Sequence, residues 1–231
     1  EIVSIKLGRM NNMEITYQSL KERQRKERDN YPINLSLRVH RALSWLDRAE
    51  QAEDDQDAQF IFLWISFNAA YANEIDDHHR FTEQETFRNF IERLCSFDVN
   101  SCLSDLVWKE FTSSIRVLLS NKFVFQPFWD FHNNKKTEQQ WQDDFKSANA
   151  FAHKALGHKN ASAVLSVIFS RLYTLRNQTL HGGATWNSSV NRDQVRDAIA
   201  FMSKFVPFII KIMMDNYKEL WGEPCYPVVE S

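Results

Sequence analysis

The stretch "AQFIFLWISFNAAYANE" (58–74) carries apolar side chains on almost every face that a helix can present. A surface helix shows one apolar stripe, so a segment of this kind belongs at the centre of a bundle, covered by other helices. The preceding segment is suited to cover it. After Pro32, Leu35, Val39, Ala42, Leu43, Leu46 and Ala49 follow the 3.6-residue period of an amphipathic helix, with Arg38, Arg41 and Arg48 expected on its other face. The acidic run "AEDDQD" separates the two segments and suits the start of the second helix, where the dipole favours negative charge. Asn68 is the misfit. A mid-helix amide among apolar residues needs a hydrogen-bond partner, either within the core or as part of a polar site.

The rest of the chain reads the same way. Glycine and proline number five each in 231 residues, below average usage of about 7% and 5%, so turns are few and the segments between them long. Thr82 and Glu85 form a T-x-x-E capping box that predicts a helix to about Phe97. Further helices are predicted over 102–120, over 138–156 ending at Gly157, and over 161–181. Asn191, opening N-x-x-Q, is the expected N-cap of a last helix running through Leu220 and kinked near Pro207. "NKFVFQPFWDFHNNKK" (121–136) breaks the regularity and reads as an ordered connector anchored by Phe and Trp, or alternatively as a base-stacking platform. The tail "WGEPCYPVVES" is expected to be extended. The architecture predicted is an all-α bundle of about six or seven helices, a single domain over 34–231 preceded by a leader or arm over 1–33. Within that arm "KERQRKER" (21–28) has five basic and two acidic residues, which suits a solvated helix or a basic strip facing RNA.

Several function classes lose support at once. The net charge of −2 provides no global basic field, so nucleic acid would need a local patch. Cys95, Cys102 and Cys225 are an odd set without C-x-x-C spacing, which favours a reducing compartment over a disulfide framework. The longest apolar stretch, "FVPFII" (205–210), continues past Lys211 into "IMM" and falls far short of the roughly 20 residues of a membrane span. With no apolar signal core at the N-terminus, a cytoplasmic protein without membrane association is expected. There is no P-loop, G-x-G-x-x-G, H-E-x-x-H or G-x-S-x-G. The two histidines of "DDHHR" (76–80) are adjacent, about 100° apart on a helix, which suits a polar loop better than a metal site. No cofactor and no metal are expected.

One segment does carry chemistry. In "LRNQTLHGG" (175–183) two of the chain's five glycines stand in tandem behind an arginine and a histidine. On a helical wheel Leu165, Ile168, Phe169, Leu172, Leu175, Thr179 and Leu180 fall within an arc of about 140°, with Arg176 near its middle. A guanidinium placed there needs a carboxylate, a partner subunit or an anionic ligand. His181 lies about 140° further round and roughly 7.5 Å along the axis, so one continuous helix cannot aim both residues at one spot. Tyr173, Asn177 and His181 share a stripe. The glycines predict a helix end at or just after His181, and the negative end of the helix dipole there favours a protonated imidazole.

"RNQTLH", with its Arg-x-x-x-x-His spacing, resembles the signature of the HEPN superfamily. "RALSWLDRAE", "FIFLWISFNAAYANE", "LYTLRNQTLHGGATWNSSVNR" and "WGEPCYPVV" are similar to one bacterial subgroup of it, over roughly residues 31–228. The resemblance implies an α-helical bundle that dimerises so that two Arg–His motifs meet in one cleft. It further implies metal-independent endoribonuclease chemistry, in which the RNA 2′-OH attacks the adjacent phosphate. Toxin–antitoxin or phage-defence systems are the implied setting, with an antitoxin protein as a candidate partner. On that basis Arg176 would hold the scissile phosphate, His181 would transfer a proton, and Asn177 would orient substrate or partner residues. Asn68, Tyr173 and Arg171 are the supporting candidates. A non-catalytic module that binds a nucleotide or a protein is the alternative, and a helical scaffold with an ion-paired Arg176 is the third.

Overall fold

The computed structural model describes residues 15–72, 83–110, 112–224 and 226. Those residues form an all-α bundle without strands. Its helices are α1 (Tyr17–Glu27), α2 (Ile33–Glu50), α3 (Gln56–Tyr71), α4 (Glu83–Phe97), α5 (Cys102–Asp105), α6 (Thr112–Ser120), α7 (Gln126–His132), α8 (Glu138–Gly157), α9 (Ala161–Leu180) and α10 (Arg192–Asp215). Six of these are long, and the four shorter ones bring the total above the number expected from periodicity.

The central helix is α3, as its composition requires. Phe60, Leu63, Trp64, Phe67, Ala70 and Tyr71 are buried, and Ser66 ties α3 to α2 by donating to the Ala42 carbonyl at 2.7 Å. The remaining apolar face is closed from α2: the Phe62 ring packs 5.7 Å from Trp45, and the Arg48 guanidinium lies 5.2 Å above it. α10 crosses α2 and α3, bringing Phe201 and Phe205 against Phe169 of α9 at 6.0 and 4.8 Å. Asp55 caps α3 by accepting from the Ala58 amide at 3.0 Å.

Arg38 departs from the expected outward placement. It is completely buried, and its guanidinium donates to the carbonyls of Ala70 (3.0 Å), Ala72 (2.9 Å), Gly222 (3.3 Å) and Glu223 (2.8 Å). The end of α3 leaves carbonyls without intrahelical partners, and the C-terminal tail folds back beside them. Arg38 serves both. Arg41 adds a bond to the Tyr226 carbonyl at 2.7 Å.

Other boundaries shift for local reasons. The 102–120 helix is interrupted by a π-helical turn over Leu106–Glu110. The 121–136 connector contains a 3-10 turn (Lys122–Val124) and α7, whose start is eased by Pro127 near its N-terminus. Phe125 and Phe128 are buried there, so the aromatics anchor the segment as expected, and Phe123 stays half-exposed. α8 ends at Gly157 as predicted. α10 stops at Asp215 instead of Leu220, with Pro207 inside it. Asn191 occupies its N-cap position, but the side chain makes no capping bond and its Oδ1 is buried without a partner.

α1, in the segment read as an arm, packs against α2 and α10 with Leu20 and Gln24 buried. Arg23 pairs with Glu27 at 2.9 Å and Asp215 at 2.6 Å, while Arg25, Lys26 and Arg28 face solvent. Thr82, the "DDHHR" run and Cys225 lie outside the described residues. Among the described residues, no helix is long and apolar enough to cross a membrane.

Candidate functional site

The "RNQTLH" motif occupies the last turns of α9 and its cap. α9 ends at Leu180, His181 is the C-cap with its amide bonded to the Asn177 carbonyl at 2.9 Å, and Gly182 takes φ +70°. The Gly183 amide then reaches back to the Gln178 carbonyl at 2.7 Å, the bond that closes a Schellman ending. The two glycines therefore do different work. Gly182 supplies the left-handed backbone, and Gly183 allows the close approach: a Cβ on it would stand 3.1 Å from the Gln178 carbonyl oxygen.

Arg176 is half-buried, lying over two aromatic rings. Its guanidinium carbon is 5.0 Å from the Tyr173 ring centroid and 5.5 Å from that of Trp64. Nη1 donates to Asn177 Oδ1 at 2.8 Å, and Nε is buried without a hydrogen-bond partner. Among the described residues Arg176 forms no salt bridge, which removes the observation that the scaffold reading needed. Stacking on aromatic faces explains how the cation occupies an otherwise apolar arc without a counter-ion. The arc itself is narrower than the wheel predicted. Thr179 is half-buried and Leu180 is 52% exposed, because the rings covering α9 meet it at Phe169 and Tyr173 and do not reach its last turn.

Two further polar groups on α3 lack partners. Trp64 Nε1 is buried and unbonded, and one turn along the same helix Asn68 Oδ1 is in the same condition. Trp64 is the residue that periodicity missed. Its place one turn before Asn68 was the available signal, but only the packing of α3 on α9 puts its ring under Arg176.

Tyr173, Arg176 and Asn177 thus come together in one chain, and two of the candidates do not join them. His181 is exposed on the cap, and its ring makes no hydrogen bond among the described residues. Arg171 points to the opposite side of α9, where its guanidinium carbon lies 4.2 Å from the Phe125 ring and 5.7 Å from Phe145.

The segment after His181 is held in place. Trp186 Nε1 donates to Asp55 at 3.2 Å, the Asn187 amide donates to Asp57 at 2.7 Å, and Arg192 pairs with Asp57 at 2.8 Å. These bonds clamp it to the start of α3. The Ala58 amide, with the Trp186 indole adding to it, holds the Asp55 carboxyl below the usual carboxylate range.

Among the described residues, the two cysteines offer no nucleophile. Burial pushes the Cys95 thiol up to about 12 and raises that of Cys102, so neither supplies thiolate near neutral pH. Among the described residues, no group of three or more His, Cys, Asp or Glu side chains is placed to hold a metal ion. Compared with known proteins, the chain matches no family model, no curated protein and no solved structure.

Proposed function

We propose that this chain is a HEPN-type, metal-independent endoribonuclease whose working form is a homodimer. The observation that carries the reading is Arg176: a guanidinium without a carboxylate partner, stacked on Trp64 and Tyr173, beside Asn177 and five residues before an exposed His181. Guanidinium geometry suits a phosphodiester, and a partly buried cation stabilises charge developing on its oxygens. The RNA 2′-OH forms a bond to phosphorus while the bond to the 5′ oxygen breaks, leaving a 2′,3′-cyclic phosphate and a 5′-OH. His181 takes the 2′ proton as base or delivers a proton to the leaving oxygen as acid. A second chain is required because Arg176 and His181 diverge on one helix. A toxin or defence role restrained by an antitoxin belongs to the same proposal.

Purified protein incubated with single-stranded RNA in excess EDTA tests it. Wild type is expected to cut, Arg176→Ala to lose about 10²–10³-fold, and His181→Ala about 10²–10⁴-fold. Intact RNA in all three reactions, or equal cutting by all three, removes the ribonuclease reading. The exposed, unoriented His181 favours a second reading, in which the Arg176 shelf binds an anion without cleaving it. Wild type that binds RNA but leaves it whole would select that one.

A further inference from the structure

Beside the Arg176 shelf, α9 floors an open cleft of about 930 Å³ between α4 and α8. Ser166 and Ser170 lie along its floor, and Phe87, Phe125 and Phe151 stand in its walls. Pockets that hold small organic molecules occupy roughly 300–1,000 Å³ and are mostly apolar with a few placed polar groups. The cleft fits that description, and Arg171 is the charged group in its lining that is almost wholly buried.

Arg171 is only 2% exposed. Its one hydrogen bond is long, 3.4 Å from Nη2 to the Leu119 carbonyl, and its Nε is buried with no partner. It forms no salt bridge among the described residues. Burial alone pushes its pKa down to about 10, with no compensating anion. Arg38, the other arginine buried to this degree, shows how the fold treats a purely structural guanidinium: four backbone carbonyls at 2.8–3.3 Å surround it. Arg171 has rings above it and nearly all of its donors unspent. The rings at 4.2 and 5.7 Å offset part of the cost of burying this cation, but its unspent N–H donors remain costly at full burial unless an anion reaches them.

We propose that this cleft is a binding site for a small aromatic monoanion, with Arg171 taking the oxyanion head group and the aromatic walls taking the ring system. The site is independent of RNA cleavage, since neither Arg176 nor His181 lines it. It adjoins that site, because Trp64 and Tyr173 belong to both the cleft lining and the shelf under Arg176.

Two fluorescent probes that share one ring system and differ by a sulfonate group test the proposal: 8-anilinonaphthalene-1-sulfonate and its uncharged parent N-phenyl-1-naphthylamine. Each is titrated into the full chain, into Arg171→Met and into Ser166→Trp, with near-ultraviolet circular dichroism to verify the native packing. Arg171→Met is expected to weaken the sulfonate by about tenfold or more, as loss of a charge-assisted bond requires, and to leave the neutral dye within about twofold. Ser166→Trp fills the floor while keeping the cation, and is expected to weaken both dyes. Equal sulfonate binding by native Arg171→Met and wild type overturns the proposal, as does undiminished binding of both dyes by native Ser166→Trp. If Arg171→Met loses its native spectrum, Ser166→Trp decides. A wild-type dimer that takes up neither dye and becomes monomeric on Ser166→Trp assigns the groove to a second copy of the chain, and the proposal fails.

Discussion

Arg38 and Arg176 meet different fates in this bundle, and their surroundings set what each is worth. Arg38 is buried among four carbonyls, so its removal takes the donor from all four and leaves the Ala70 acceptor stranded in the core. Arg38→Met is expected to cost about 3–5 kcal/mol, read as a lower urea midpoint with an unchanged slope. Arg176 keeps one neutral hydrogen bond and two ring contacts while half-exposed. Arg176→Ala should therefore cost no more than about 1.5 kcal/mol, even as it lowers the proposed RNA cleavage by about 10²–10³-fold. Similar stability losses for the two variants would return Arg176 to a scaffold role. The anomaly of Arg176 was legible in the α9 wheel. Arg38 was not, because the carbonyls that claim it come from residues 70–72 and 222–223, distant in sequence from α2.

At the scale of elements, the end of α9 and its clamp control where His181 stands. Gly182→Ala forces an L side chain into φ +70°, and a destabilisation of about 1–2 kcal/mol is expected from thermal melting. Asp57→Asn removes the charge that Arg192 and the Asn187 amide share. Faster amide hydrogen exchange at Asn187 is expected, with the α9 amides unchanged. Asp55 adds a pH dependence. Its folded carboxyl sits below the unfolded value of about 3.9, so its stabilising effect is complete above that pH and fades as pH falls through the lowered pKa. The stability difference between wild type and Asp55→Asn should accordingly be largest above about pH 4 and shrink toward pH 2. The start of α3 and the stop of α9 were readable from the acidic run before α3 and from the two glycines, since helix ends are local chemistry; that Asp55 is the residue that caps α3 was not. The clamp was not, because it pairs residues about 130 positions apart.

At the scale of the whole molecule, the two motif residues diverge on one helix, and the proposed dimer is what would bring Arg176 and His181 to one site. Mixing Arg176→Ala chains with His181→Ala chains is expected to restore about a quarter of the wild-type rate, since half of the random dimers carry one intact composite site. No recovery on mixing, in dimers verified by sedimentation, would show that the site does not span the dimer.

The sequence by itself determined the all-α class, the central position of α3 and the place where α9 stops. Those follow from periodicity, from an apolar segment that must be covered, and from glycine's access to positive φ. The tertiary structure alone decided that Trp64 lies under Arg176, that Arg38 is interior and that Arg171 lines a cleft beside the Arg176 shelf. Each of those outcomes depends on which helix packs against which, and a guanidinium takes its role from the rings and carbonyls that the packing delivers to it.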